Sequence, residues 1–159
     1  MSVSKTNVPE TQRATTLALH RWVSLDDTSL RQILALATRL AQQGRRQEAL
    51  TLLEGVHTLA PEHVYARVAL GCIYMRAQRY AEAIEMFRAV VADHPEDIVA
   101  HTYLGELYLM EGEAERALQH LRKAVELDPD GQDPYANRAR AIVQLVKNTV
   151  TQFQSTHRG

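Results

Sequence analysis

Residues Val64–Asp97 read VYARVALGCIYMRAQRYAEAIEMFRAVVADHPED. Apolar side chains recur in this stretch at helical spacing, in two segments parted by a break at Ala77-Gln78-Arg79. Pro95 ends the second segment, because the residue before a proline is pushed out of helical geometry. Leu70-Gly71, Tyr74, Ala83, Phe87 and Pro95 mark this unit. Moving on by 34 residues finds Leu104-Gly105, Tyr108, Ala117, Leu121 and Pro129; moving back by 34 finds Leu36-Ala37, Leu40, Ala49, Leu53 and Pro61. The chain therefore carries three consecutive units, 30–63, 64–97 and 98–131, each a pair of helices with breaks at Gln43-Gly44-Arg45, Ala77-Gln78-Arg79 and Glu111-Gly112-Glu113. One such hairpin cannot bury its apolar face alone, whereas three stacked hairpins can.

Within each pair, Leu36, Leu70 and Leu104 with Leu40, Tyr74 and Tyr108 are expected to fill the seam. Gly71 and Gly105 lie inside helices, where each costs about 1 kcal/mol against alanine. That cost is tolerable where two helices must approach closely, with Ala49, Ala83 and Ala117 as the small residues opposite.

Spacing and identity agree three times with the pattern L-G-x2-Y…A-x3-F…P of the tetratricopeptide repeat (TPR) family, which this chain resembles over about two thirds of its length. The tryptophan position of that pattern holds Ile33, Arg67 and His101 instead. The resemblance implies an all-α, right-handed solenoid of three helix-turn-helix repeats.

Two segments flank the repeats. Residues 132–159 form a C-terminal capping helix and tail: Asp133 reads as an N-cap with Pro134 at the first helical position, and Tyr135, Ala139, Ile142, Val146, Val150 and Phe153 make one apolar stripe. This segment carries four basic residues and one acid, net +3, and the third repeat three basic residues and seven acids, net −4. Charge and stripe both place the helix on the third repeat. At the other end, residues 1–8 read as a disordered lead and 9–29 as an N-terminal helix and its connection. Pro9 to Val23 carries Leu17, Leu19, Trp22 and Val23, and Ser24–Thr28 links it to the first repeat.

The bulk numbers restrict function. The 159 residues are 45% hydrophobic and 23% charged with a formal net charge of −1, against the strongly basic surface usual for nucleic-acid binding. No run approaches the ~18 apolar residues of a membrane span, and Met1 to Thr16 has no apolar core of a secretory signal. The single cysteine, Cys72, rules out an internal disulfide framework and suits a reducing cytoplasm. The seven histidines show no metal-ligand spacing: His57, His63 and His94 fall near repeat junctions, and His20, His101, His120 and His157 are scattered. Asp128 to Asp133 faintly resembles a calcium loop, but its twelfth position is Ala139 and Pro129 lies inside it. No phosphate-cradling glycine loop and no nucleophile with its base is recognisable, so neither an enzyme, a cofactor nor a metal is expected.

In TPR proteins the first helix of each pair lines a concave face. Carried onto this chain, the family's groove positions are Arg31, Leu34, Thr38, Ala41 and Gln42; then Tyr65, Val68, Cys72, Met75 and Arg76; then Val99, Thr102, Glu106, Leu109 and Met110. These are more apolar than a solvated helix face should be, and methionines and a tyrosine suit a surface that adapts to a peptide. Family members that clamp the acidic C-terminus of heat-shock chaperones use cationic and amide side chains at positions that here hold Leu34, Thr38, Ala69, Val99 and Tyr103, which argues against that ligand.

A chain of this length with an N-terminal helix, three TPRs and a C-terminal helix resembles the class II, or translocator, chaperones of bacterial type III secretion. That resemblance implies a cytoplasmic chaperone holding an extended apolar polypeptide segment in the concave groove, with dimerisation through the N-terminal region. The competing expectation is an assembly factor or scaffold of a multiprotein machine that binds a folded subunit by its convex face or C-terminal helix.

Overall fold

The structure, a computed structural model, describes residues 26–156. Among these, seven helices and no strand follow one another: α1 (Asp27–Gln42), α2 (Arg46–Leu59), α3 (Val64–Arg76), α4 (Tyr80–Asp93), α5 (Ile98–Met110), α6 (Ala114–Glu126) and α7 (Pro134–Thr156). They form two compact units, one running to Ile73 and the other from Tyr74. The lead at 1–8 and the helix expected over Pro9 to Val23 lie outside the described residues.

Side-chain caps explain where the first helices begin. The Asp26 carboxylate accepts the Ser29 N–H at 2.8 Å, His63 Nδ1 accepts the Ala66 N–H at 3.2 Å, and the Asp97 carboxylate accepts the Ala100 N–H at 2.7 Å. Each satisfies a backbone donor that the first helical turn leaves open. Because Asp26 caps so early, Thr28 and Ser29 are helical rather than part of a connection, and α1 starts ahead of the repeat boundary at Leu30.

The turn between paired helices uses one left-handed residue each time: Gly44 at φ 80°, Gln78 at φ 61° and Gly112 at φ 78°. Glycine adopts this conformation without penalty, whereas a residue with a Cβ does not. Gln78→Gly is therefore expected to stabilise the chain by about 0.5–1 kcal/mol. Urea unfolding should show a higher midpoint at an unchanged slope, and a lower midpoint would show that the Gln78 side chain contributes more than its backbone costs.

The second helices open on a repeated ion pair whose polarity reverses. Arg45 pairs with Glu48 and Arg79 with Glu82, but in the third repeat Glu113 pairs with Arg116. The exchange keeps an arginine over the repeat's tyrosine: Arg79 lies 4.4 Å from the Tyr74 ring centroid and Arg116 5.5 Å from that of Tyr108. Being exposed, these pairs add little through charge, and where a tyrosine is present their value lies more in covering the ring.

In the first unit, Leu30, Val56 and Ala66 form a core cluster with Ile33, Leu34 and Ala60 packed against it, and Ala49, Leu50 and Leu53 of α2 are buried. Leu36 departs from the expected seam, being 48% exposed while Ala37 beside it is buried. Leu36 points instead into an apolar cleft between α1 and α2.

The second unit is centred on Phe87, Leu104, Leu107 and Leu121, all fully buried. Gly105 is where two helices meet: a Cβ there would lie 2.6 Å from Leu121 Cδ2 and 3.2 Å from the Ala117 carbonyl oxygen. Helix α7 starts as its sequence predicts, with the Asp133 carboxylate accepting the N–H groups of Tyr135 at 2.7 Å and Ala136 at 3.0 Å. Just before it, the Asp128 carboxylate accepts the Gln132 and Asp133 N–H groups and pairs with Arg140, so this acidic stretch is a closed turn. Ala139 and Val143 pack on Leu121 and Ala124. The 23 residues of α7 rise about 35 Å, against about 20 Å for α6, and Leu145 is left exposed.

Candidate functional site

The first helices α1, α3 and α5 carry the residues expected to meet a ligand. In the first unit Leu34, Ala41, Val68 and Cys72 are half-buried and Thr38 is exposed, its hydroxyl donating to the Leu34 carbonyl at 2.9 Å. Tyr65 is 75% exposed, and the His63 ring lies 6.0 Å from it between centroids. The Cys72 thiol is in no disulfide.

In the second unit the row divides. Met75 and Val99 are half-buried and Met110 is 60% exposed. Thr102, by contrast, is fully buried and donates to the Tyr135 carbonyl at 3.3 Å. Glu106 accepts from Arg138 at 2.8 Å, and Leu109 packs on the cluster of Leu121, Ala124, Ala139 and Val143. Helix α7 therefore occupies the middle of the third repeat's expected surface. Burial pushes the Glu106 carboxyl up, and the nearby Arg138 guanidinium pulls it back down.

An aromatic ladder fixes this contact. Phe87 stacks on Tyr103 at 5.1 Å, Tyr103 meets Tyr135 at 5.8 Å, and the Arg138 guanidinium lies 5.9 Å from the Tyr103 ring. Helices α4, α5 and α7 are thus tied by rings whose flat faces tolerate only a few offsets.

Two polar clusters stand at the positions where the family pattern has tryptophan. Arg67 is buried and donates to the Glu62 carbonyl at 3.1 Å. Near it, burial and the Arg67 charge hold His57 below its usual pKa, against the opposing pull of Glu62. His101, also buried, has Nε2 3.0 Å from the Pro95 carbonyl and Nδ1 3.0 Å from Nδ1 of His120. Burial lowers both imidazoles, that of His120 to about 4, with His101, Arg116 and Arg88 adding to the shift. Sequence alone left these two histidines scattered; their separation of 19 residues matches a step from a first helix to its partner, which is the signal that could have joined them.

Among the described residues no group of three or more His, Cys, Asp or Glu side chains is placed to hold a metal ion, and no helix is long and apolar enough to cross a membrane.

The profile of the tetratricopeptide repeat family matches residues 34–98 and 68–132. A sequence comparison with curated proteins gives no match. Among solved structures, the chain is similar to the type III secretion chaperone SycD of Yersinia enterocolitica in complex with a peptide of the translocator YopD. The identity is 19% and the TM-score 0.69, over 80% of this chain and 98% of that one. It is similar to PcrH of Pseudomonas aeruginosa at 19% identity and a TM-score of 0.71, over 78% of this chain and 96% of that one. A type III secretion system complex from Aeromonas hydrophila gives 19% identity and a TM-score of 0.73, over 89% of this chain and 99% of that one. At such identity these likenesses are likenesses of fold.

Proposed function

The chain belongs to the tetratricopeptide repeat family, and from that premise we propose that it is a non-catalytic chaperone that holds an extended apolar segment of a type III secretion substrate. The observation that carries this reading is the open apolar surface of the first helices. In the first unit Tyr65 stands exposed with Leu34, Val68 and Cys72 half-buried, and in the second Met110 stands exposed with Met75 and Val99 half-buried. An apolar row of this extent is costly to leave wet. The structures that share the fold include a translocator chaperone holding a translocator peptide, which supports the same use here. The reading places the protein in the bacterial cytoplasm, with dimerisation through its N-terminal region.

The proposed contacts are Leu34, Thr38, Ala41, Tyr65, Val68 and Cys72 in the first unit, and Met75, Val99 and Met110 in the second. Thr102, fully buried beneath α7, is not among them, and Glu106 and Leu109 contribute only at their edges, since α7 packs on them. Tyr65 is the best anchor, because a tyrosine offers a large area with a polar end. Affinity capture from the native cell should recover one aggregation-prone secreted protein, and calorimetry should show a negative heat-capacity change. Tyr65→Ala should weaken binding by on the order of 2 kcal/mol, about thirtyfold, whereas the exposed control Glu85→Ala should leave it unchanged. Folded Tyr65→Ala and Val68→Asp/Met75→Asp variants that bind like the wild type would remove this surface from consideration. Recovery of a multi-subunit machine would favour the scaffold reading.

A further inference from the structure

Where α7 covers part of α5, it brings side chains of its own to the same face. Glu106 and Arg138 fix how the two helices meet: Nη2 of Arg138 lies 2.8 Å from Oε2 and Nε 2.5 Å from Oε1. Met110 follows Glu106 by four residues and Leu145 follows Arg138 by seven, steps that return a helical side chain to the same side. Met110 and Leu145 therefore stand on the face that carries the ion pair, about 6 Å and about 10 Å beyond it along the helix axes. They are 60% and 66% exposed, and Ile142 is half-buried. A single exposed leucine needs no explanation, whereas adjoining exposed apolar side chains make a patch.

The ion pair itself is unequal. The Glu106 side chain is 12% exposed and that of Arg138 53%, so the carboxylate is the support and the guanidinium is the part open to solvent. A guanidinium has five N–H donors and no acceptor. Two of its nitrogens serve Glu106, and among the described residues Nη1 has no partner. The Tyr103 ring lies 5.9 Å from the guanidinium carbon and limits how the group can turn. An oriented donor beside an apolar patch is the chemistry that recognises an extended backbone and one of its side chains.

We propose that α7 is a ligand-binding wall as well as a cap, for the segment of the peptide-holding reading above, on which this assignment rests. Arg138 donates to a backbone carbonyl of that segment, and Met110, Ile142 and Leu145 take a bulky apolar side chain. Glu106 is a positioning residue that acts through Arg138. The spacing suits an extended chain, which rises about 3.3 Å per residue. A carbonyl on Arg138 sets the side chain two or three residues further on, whichever of the two faces α7, over Met110 and Leu145. Because every residue of an extended chain carries a carbonyl, Arg138 accepts many sequences, and the apolar patch selects among them.

The probe is a phage-displayed library of random dodecapeptides, selected on the full chain, with the selected peptides then titrated by fluorescence anisotropy. Leu145→Ser and Met110→Ser should each weaken them about tenfold. Arg138→Lys, which keeps a charge beside Glu106 but lacks the second amino group, should weaken them about fivefold. Leu145→Met, which keeps the apolar bulk, and Gln144→Ala, which lies off this face, should bind like the wild type. Circular dichroism should give every variant the wild-type melting curve; if Leu145→Ser fails to fold, Met110→Ser decides. Peptides that lose affinity for Tyr65→Ala but bind the Leu145, Met110 and Arg138 variants like the wild type would overturn the role of α7 and leave the chaperone reading standing. A library that yields no binding peptide would remove that reading and the role of α7 together.

Discussion

A chain ending at Gly131 is expected to lose the cooperative unfolding of its second unit and to aggregate. Helix α7 buries Ala136, Ala139 and Val143, and Ile98, Leu109, Leu118, Val125 and Ile142 pack around the cluster that it shares with Leu121 and Ala124. Losing the burial of Tyr135, Ile142 and Val143 alone removes on the order of 5 kcal/mol of apolar stabilisation, a large share of what a domain of this size possesses. The polar side of the contact adds to the loss. Thr102 would lose its acceptor on Tyr135, and Glu106, already pushed up by burial, would lose Arg138. A terminal repeat needs a polar outer cover, and α7 provides it with the exposed Gln144 and Lys147. Val143→Asp tests the same contact without deleting chain, since it buries an unpaired carboxylate against Leu121. Thermal melting and light scattering read both changes. A soluble truncation with an unchanged melting temperature would refute the assignment of α7 as the cap.

The helix pairs were legible because the repeat is written three times, and register errors that a single copy would permit are removed by the other two. The α7 start was legible for a local reason, since Asp133-Pro134 satisfies the rules of a helix N-terminus within two residues. Periodicity identifies the apolar face of a helix but not the neighbour that covers it. Thr102 and Glu106 were therefore read as part of an open surface, although α7 lies over them. Leu36 was read into the seam because its repeat position is filled by Leu70 and Leu104 in the other two repeats, whereas in the first it faces the cleft between α1 and α2. The early start of α1 depends on one carboxylate finding one N–H, a contact that spacing alone does not rank above the boundary set by the repeat. Tertiary pairing hid the histidines as well. His101 replaces a tryptophan of the family pattern, and its partner His120 lies on the other helix of the hairpin.

Acidification should destabilise the second unit through that pair. A carbonyl oxygen can only accept, so the Pro95 contact requires His101 to carry its proton on Nε2 and to present a bare Nδ1. His120 then donates its Nδ1–H across the 3.0 Å gap. A second proton on His101 would set two N–H donors face to face, and the surroundings offer little relief. Lys123 near His101, and Arg116 and Arg88 near His120, bring positive charge to the pair, opposed by the Asp97 carboxylate near His101, and the Tyr108 ring stacks on His120 at 5.6 Å. Burial and these charges hold His120 at about 4, below its ordinary 6.5. Above the ordinary value neither the folded nor the unfolded chain holds the extra proton, and the pair carries no penalty. As the pH falls through 6.5 the unfolded chain takes up a proton that the folded chain refuses, so stability declines until the folded imidazole titrates near 4. Allowing for the partial exposure of the ring, which screens these charges, the full decline attributable to His120 is on the order of 2 kcal/mol. Urea unfolding at pH about 7 and about 4.5 should show most of it in the wild type. In His120→Gln an amide N–H can still donate to His101 but adds no titrating ring, so most of this decline should disappear while carboxylate titration affects both proteins alike. Parallel stability curves for the two proteins across this range would show that the histidine pair is not the acid-sensitive element of the third repeat.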